Sequence, residues 1–256
     1  MNDFYVGYLP KAPAALARFV RRVVIALGVL AAAAALVLVT AQMPFANSTF
    51  EYGKLRPFEG LIVARPYPAL LVARPGEAGE AGAFSQYLLV APGKHGADEL
   101  VAAFDGRRVR LEGQLIYRDG GTMVEIAPGS IVAAGATPAG PGATRDLGPI
   151  TLTGEIVDSK CYLGVMNPGN GKVHRDCAAR CLSGGVPPVF VTSGPGGELL
   201  LLVDPDGKAL GHDALREFIA EPITVQGELL ERGPARLLEI DPHALRHAPA
   251  RRLYEP

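Results

Sequence analysis

Tryptophan does not occur in this chain, cysteine occurs only three times, and no lysine–arginine run is interleaved with aromatics. With 25 Lys+Arg against 26 Asp+Glu, there is no basic stripe of the kind that marks a nucleic-acid binder. Also missing are a Gly-x-x-x-x-Gly-Lys phosphate loop, a Gly-x-Ser-x-Gly nucleophile elbow and a Cys-x-x-Cys redox pair. The common routes to phosphoryl transfer, serine hydrolysis and thioredoxin-like chemistry are therefore closed, and the reading leans to a protein that is not an enzyme. What is abundant is turn chemistry. Glycine occurs 31 times and proline 22 times, which favours short strands joined by turns over long helices.

One long hydrophobic run stands at the N-terminal end. Val23 to Met43 carries no charge over a length that suffices for a hydrocarbon core of about 30 Å. Lys11, Arg18, Arg21 and Arg22 precede it, and the first charge after it is Glu51. By the positive-inside rule, residues 1–22 form a cytoplasmic basic tail, 23–43 a transmembrane helix, and the rest lies outside. In a Gram-negative source that outside is the periplasm, and the anchor makes membrane lipid a partner. The rival reading is a cleaved signal peptide with its small-residue site at Val39-Thr-Ala41. No cysteine follows the run closely enough for a lipoprotein.

The remainder reads as one unit written twice. Val109-Arg-Leu-Glu-Gly113-Gln-Leu115 aligns with Ile223-Thr-Val-Gln-Gly227-Glu-Leu229, and Glu125-Ile126-Ala-Pro128 with Glu239-Ile240-Asp-Pro242, both at an offset of 114. Phe58-Glu-Gly60-Leu-Ile62 resembles Leu152-Thr-Gly154-Glu-Ile156 at an offset of only 94. The second copy has thus gained about twenty residues after its first strand. Apolar runs of 4–8 residues bounded by Gly, Pro and Asp predict strands. Short helices are expected at 97–104, 173–181 and 213–219. The order strand, loop, strand, short helix, strand, turn, strand suits a small OB-type barrel, which puts a helix between its third and fourth strands. The expected fold is mainly β: an N-terminal transmembrane helix followed by two tandem OB-like small β-barrel domains, 50–133 and 149–247. An Ala/Gly/Pro linker, 134–148, joins them, and a Cys/His-bearing helical insertion occupies 158–188.

All three cysteines fall in that insertion: Asp158-Ser-Lys-Cys161-Tyr162, a Gly/Asn/Pro loop, then His174-Arg-Asp-Cys177-Ala-Ala-Arg-Cys181. At about 100° per residue, positions 174, 177 and 181 of one helix fall within roughly 60° of one another. Cys161 can be folded over that face, giving Cys161, His174, Cys177 and Cys181 as a Cys₃His ligand set for zinc, copper or an iron–sulfur cluster. Met166 is a further soft donor, or a packing residue. Asp158 either orients a ligand or ends the strand as a turn residue. Two other readings stay open. In one, Cys161 bridges Cys177 or Cys181 in a structural disulfide that leaves a spare thiol on a non-catalytic interaction module; in the other, those pairs perform thiol–disulfide exchange. His95, His212, His243 and His247 stand alone and carry no site by themselves.

The stretch Val157-Asp158-Ser-Lys-Cys161-Tyr162, His174-Arg-Asp-Cys177-Ala178-Ala-Arg-Cys181 and Gly185-Val-Pro187 resembles a group of exported or membrane-anchored bacterial proteins. These share a Val-Asp-x-x-Cys-Tyr strand end, a His-x-x-Cys-Ala-x-x-Cys helix and a Gly-x-Pro turn. The resemblance covers about forty residues, implies that the four ligands act as one unit, and brings no activity with it. A looser similarity to membrane-anchored OB-fold haem chaperones stops at the anchor-plus-barrel plan. Their C-terminal His-x-x-x-Tyr is not present, because Arg251 stands four residues after His247. The resulting expectation is an extracytoplasmic metal protein that handles metal or transfers electrons beside a membrane protein partner.

Overall fold

The computed structural model describes residues 12–42, 48–74, 84–136, 140–193 and 197–248. Two compact units result, Met1–Phe45 and Ala46–Pro256. The first contains helix α1 (Ala14–Gln42), long and apolar enough to cross a membrane. It begins nine residues before the uncharged run, because Ala14-Ala-Leu-Ala after Pro13 is strong helix-forming sequence. Arg18, Arg21 and Arg22 therefore lie on its first turns, with Arg18 Nε donating to the Ala14 carbonyl. Residues 1–11 of the expected tail, and Met43, lie outside the described residues.

The second unit is two closed five-stranded barrels in tandem. The first copy comprises β1 (Ser48–Phe50), β2 (Arg56–Val63), β3 (Ala69–Ala73), β4 (Phe84–Ala91), β5 (His95–Gly96), helix α2 (Asp98–Val101), β6 (Arg108–Arg118), β7 (Gly121–Ile126) and β8 (Val132–Ala133). It closes through the circuit β6–β2–β3–β4–β7–β6, in which only β4–β7 is parallel. The second copy comprises β9 (Arg145–Asp158), helix α3 (Arg175–Ser183), β10 (Pro188–Thr192), β11 (Leu199–Val203), helix α4 (His212–Leu215), β12 (Pro222–Arg232), β13 (Ala235–Glu239) and β14 (Arg246–His247). Its circuit, β12–β9–β10–β11–β13–β12, has the same order and the same parallel closing pair.

The registers repeat as well. Gly60 faces Val109 in the first barrel and Gly154 faces Ile223 in the second, the offsets of 94 and 114 read from the sequence. Both glycines sit where strands press together. A Cβ on Gly60 would lie 2.4 Å from the Leu71 carbonyl oxygen, and one on Gly154 2.2 Å from that of Val191. From β3 to β10 the offset becomes 120, Leu70 matching Phe190. The insertion between the first two strands is therefore 26 residues, a little longer than the net figure suggests. Seven residues are lost again before β11, where Tyr87 opposite Leu70 matches Leu200 opposite Phe190.

Each barrel has its own core, Ile62, Leu70, Leu89, Leu111 and Val124 in one, Ile156, Phe190, Leu202, Val225 and Leu238 in the other. A third cluster joins the barrels. Leu88, Val90, Ile116 and Met123 from the first pack with Val157, Leu163, Val189, Leu201 and Val203 from the second, and Cys161 and Cys181 belong to this cluster. This explains why Tyr87-Leu-Leu-Val90 and Leu199-Leu-Leu-Leu-Val203 are unbroken apolar runs. One face fills the barrel and the other fills the seam, so neither side needs polar residues.

Polar groups cross the seam too. Tyr67 Oη donates to the Leu202 carbonyl and accepts the Leu210 N–H. Lys160 Nζ makes a 2.5 Å ion pair with Glu125, their side chains 4% and 9% exposed, and donates to the carbonyls of Ala91 and Gly93. A buried charge without its partner is costly. Lys160→Met should lower unfolding free energy by about 3–5 kcal/mol in urea titration, and adding Glu125→Leu should recover most of that loss.

Candidate metal centre

The insertion is anchored before it reaches its thiols. β9 ends at Asp158, whose Oδ1 accepts the Cys161 N–H at 2.8 Å and starts the wide turn Cys161–Val165, closed by the Met166 N–H on the Cys161 carbonyl. Gly164 lets that turn lie on β1, since a Cβ there would be 2.4 Å from the Thr49 carbonyl oxygen. Arg118 braces the turn, stacking 4.0 Å from the Tyr162 ring centroid and donating to the Tyr162 carbonyl at 3.0 Å. Helix α3 buries Ala178 and Leu182 against Ile219 and Ala220. An Arg175–Glu221 ion pair of 2.7 Å ties down its first turn. The adjoining stripe, Cys177 and Cys181 at i and i+4, is thereby turned toward Cys161.

The three sulfurs converge. Cys161 Sγ lies 3.9 Å from Cys177 Sγ and 3.9 Å from Cys181 Sγ, and all three fall within 4.8 Å of one another. All three are free thiols. A tetrahedral ion with metal–sulfur bonds of about 2.3 Å holds its sulfurs about 3.8 Å apart. The spacing suits three ligands of one ion, and the donor set is that of a soft metal.

His174 is placed differently from the helical projection. It belongs to a 3-10 turn, Lys172–His174, and occupies the cap of α3 at φ −101°, ψ −7°. Its imidazole Nε2 lies 2.9 Å from Asp158 Oδ2, with both side chains buried. The structure thus brings together two triads that share Cys161: Cys161–Cys177–Cys181, and Asp158–Cys161–His174. Asp158 serves as both turn residue and histidine partner, roles the sequence left as alternatives.

A further group reaches the sulfurs from the first barrel. Lys94 Nζ lies 2.9 Å from Cys177 Sγ and 3.7 Å from Cys181 Sγ. Its turn is seated on the C-terminal end of α3, where Gly96 donates to the Gly184 carbonyl at 2.9 Å. A Cβ on Gly184 would come within 1.9 Å of the Lys94 carbonyl oxygen, so only glycine permits this seat. The hydrogen bond to Cys177 and the neighbouring sulfurs raise the Lys94 pKa. Within the cluster, the hydrogen bond between Cys161 and Cys181 pushes Cys161 up, reinforced by burial and the Asp158 charge. The same bond, aided by Lys94, lowers Cys181 against the cost of its burial. Of the pair, Cys161 therefore holds its proton the more tightly and Cys181 gives it up the more readily. Cys177 is half-buried, whereas Cys161 and Cys181 are buried.

The remaining histidines stay apart from the cluster. His95 is exposed, His212 bonds Asp213, His243 lies in a surface turn and His247 stacks on Phe218. Met166 is 44% exposed. Sequence reasoning missed Lys94, Lys160 and Glu125. Lys160, one lysine between an apolar strand and a cysteine, offered the only hint, and Lys94 sits in an ordinary Pro-Gly-Lys-His-Gly turn.

Comparison with protein-family models, curated proteins and solved structures finds no match to this chain.

Removing Asp158 leaves a buried N–H and a buried imidazole unsatisfied. Asp158→Ala should cost about 2–4 kcal/mol in chemical denaturation, and Asp158→Asn, which keeps the acceptor for Cys161, distinctly less.

Proposed function

We propose that this chain is a single-pass, membrane-anchored extracytoplasmic protein that binds one soft metal ion through Cys161, Cys177 and Cys181 and works in metal handling. The observation that carries the reading is the mutual spacing of the sulfurs, 3.9 Å on two edges, which one ion accounts for. Sulfurs bound to different irons of a cluster are kept further apart by the cluster itself, so a mononuclear ion is favoured over iron–sulfur. The Asp158–His174 pair then steadies the turn that carries Cys161, since Asp158 holds both the imidazole and the Cys161 N–H. A set of three thiolates leaves a tetrahedral ion one open position, which suits an ion that is exchanged, whereas a purely structural zinc has four closed ligands.

The anchor reading rests on α1 and on the arginines at its start. The charge asymmetry puts the barrels outside, where a partner membrane protein delivers or receives the ion. Electron transfer becomes the role if the ion is copper. The resemblance to the exported bacterial group with the Val-Asp-x-x-Cys-Tyr motif agrees with this reading.

A second reading is thiol–disulfide exchange. It is favoured by one observation: Cys161 Sγ is equidistant from two thiols, so either bridge needs the same closure from 3.9 to about 2.05 Å.

Anaerobic purification with elemental analysis and a UV–visible spectrum separates the two. The metal reading expects one ion per chain, lost in Cys161→Ser, Cys177→Ser and Cys181→Ser alike. Metal-free protein with a Cys161 disulfide that reduces under mild thiol would sink it and support exchange.

A further inference from the structure

Between β1 and β2 the chain turns through Tyr52, Gly53, Lys54 and Leu55, all exposed. Tyr52 is 79% exposed and Leu55 56%, and Tyr117, on the strand that pairs with β1, is exposed as well. The turn is well held. The Gly53 N–H is bonded by the Gln114 side chain, Lys54 N–H donates to the Glu51 carbonyl, and Arg56 is paired with Glu51 at 2.6 Å. The Tyr52 ring stands edge-on to Phe50 with centroids 5.4 Å apart. A braced backbone thus presents a tyrosine, a leucine and the ammonium of Lys54, unpaired among the described residues, to the surroundings.

We propose that this turn docks on the lipid surface, with Tyr52 and Leu55 at the boundary between headgroups and acyl chains and Lys54 against headgroup phosphates. Three arguments meet here. Tyrosine with its apolar ring and polar tip is the side chain of membrane–water interfaces, and lysine complements their anionic charge. Tyr52 stands ten positions after Gln42, where the apolar helix ends, a reach of at most about 35 Å. Tethering of that length keeps the turn at high effective concentration over the bilayer, so a small apolar tip is enough. The proposal rests on α1 being a retained anchor. It also gives the thiol site an address, because Gly164 of the cysteine turn lies directly on Thr49 of β1.

The chain has no tryptophan, so one substitution creates a unique fluorescent reporter. Full-length Y52W and V132W proteins would be reconstituted in phosphatidylcholine–phosphatidylglycerol vesicles with and without brominated acyl chains. Val132 is 54% exposed and pairs with Arg110, whereas Phe50 pairs with Ile116; the two positions are separated by about 20 Å along β6. Docking predicts a blue shift for Y52W and loss of the larger part of its emission to brominated lipid, with V132W unaffected. Vesicle-bound protein in which Y52W is not quenched, or in which both reporters are quenched alike, would overturn the docking. Protein that does not float with vesicles at all would overturn the anchor, and the docking with it.

Discussion

The apolar seam between the two barrels is the constraint on which the rest of the molecule depends. Each barrel is closed and has a filled interior, so neither needs the other to complete its sheet. What forces them together is the outward face of β4, β7 and their counterparts, which carries leucine, valine and methionine where a solitary barrel would carry polar residues. Once that face is buried, the groups around it must be satisfied inside protein. The Lys160–Glu125 pair, the Tyr67 hydroxyl and the Gly96–Gly184 contact all answer that need. The thiol site is assembled on the same seam. Two of its sulfurs are core atoms of the seam, and the lysine beside them arrives from the opposite barrel.

Much of the fold was legible because it is written in periodicity and repetition. The offsets of 114 and 94 named the strand pairs that face each other, and the Gly60/Gly154 equivalence marked the same tight crossing in both copies. The helix order and the place of the insertion followed from those offsets. What stayed hidden is the joining of the barrels. A continuous apolar strand reads the same whether its second face meets a helix, a sheet or another domain, so Leu88 and Val90 could not announce their partners. The Ala/Gly/Pro segment between the copies suggested a loose connection, while the seam makes Ala46–Pro256 one compact unit.

The site was legible in part and for a clear reason. Cysteines one helical turn apart must share a face, so Cys177 and Cys181 were fixed by geometry alone, with Cys161 free to fold over them. His174 was projected from the same helix, yet it lies just before the α-helical residues begin, and a 3-10 turn there redirects its ring toward Asp158. One residue of uncertainty at a helix end decides which neighbour an imidazole meets. Lys94 comes from a turn more than eighty residues away in sequence, and only the tertiary seam brings it near sulfur.

The glycine seat beneath Lys94 makes the surroundings of the thiols a property of both copies. The sulfurs belong to one copy of the repeat, the lysine and the turn that delivers it to the other, and Gly184 leaves room for their contact. The ammonium stands beside the sulfurs only while the two barrels face each other, and neither barrel alone could make that contact.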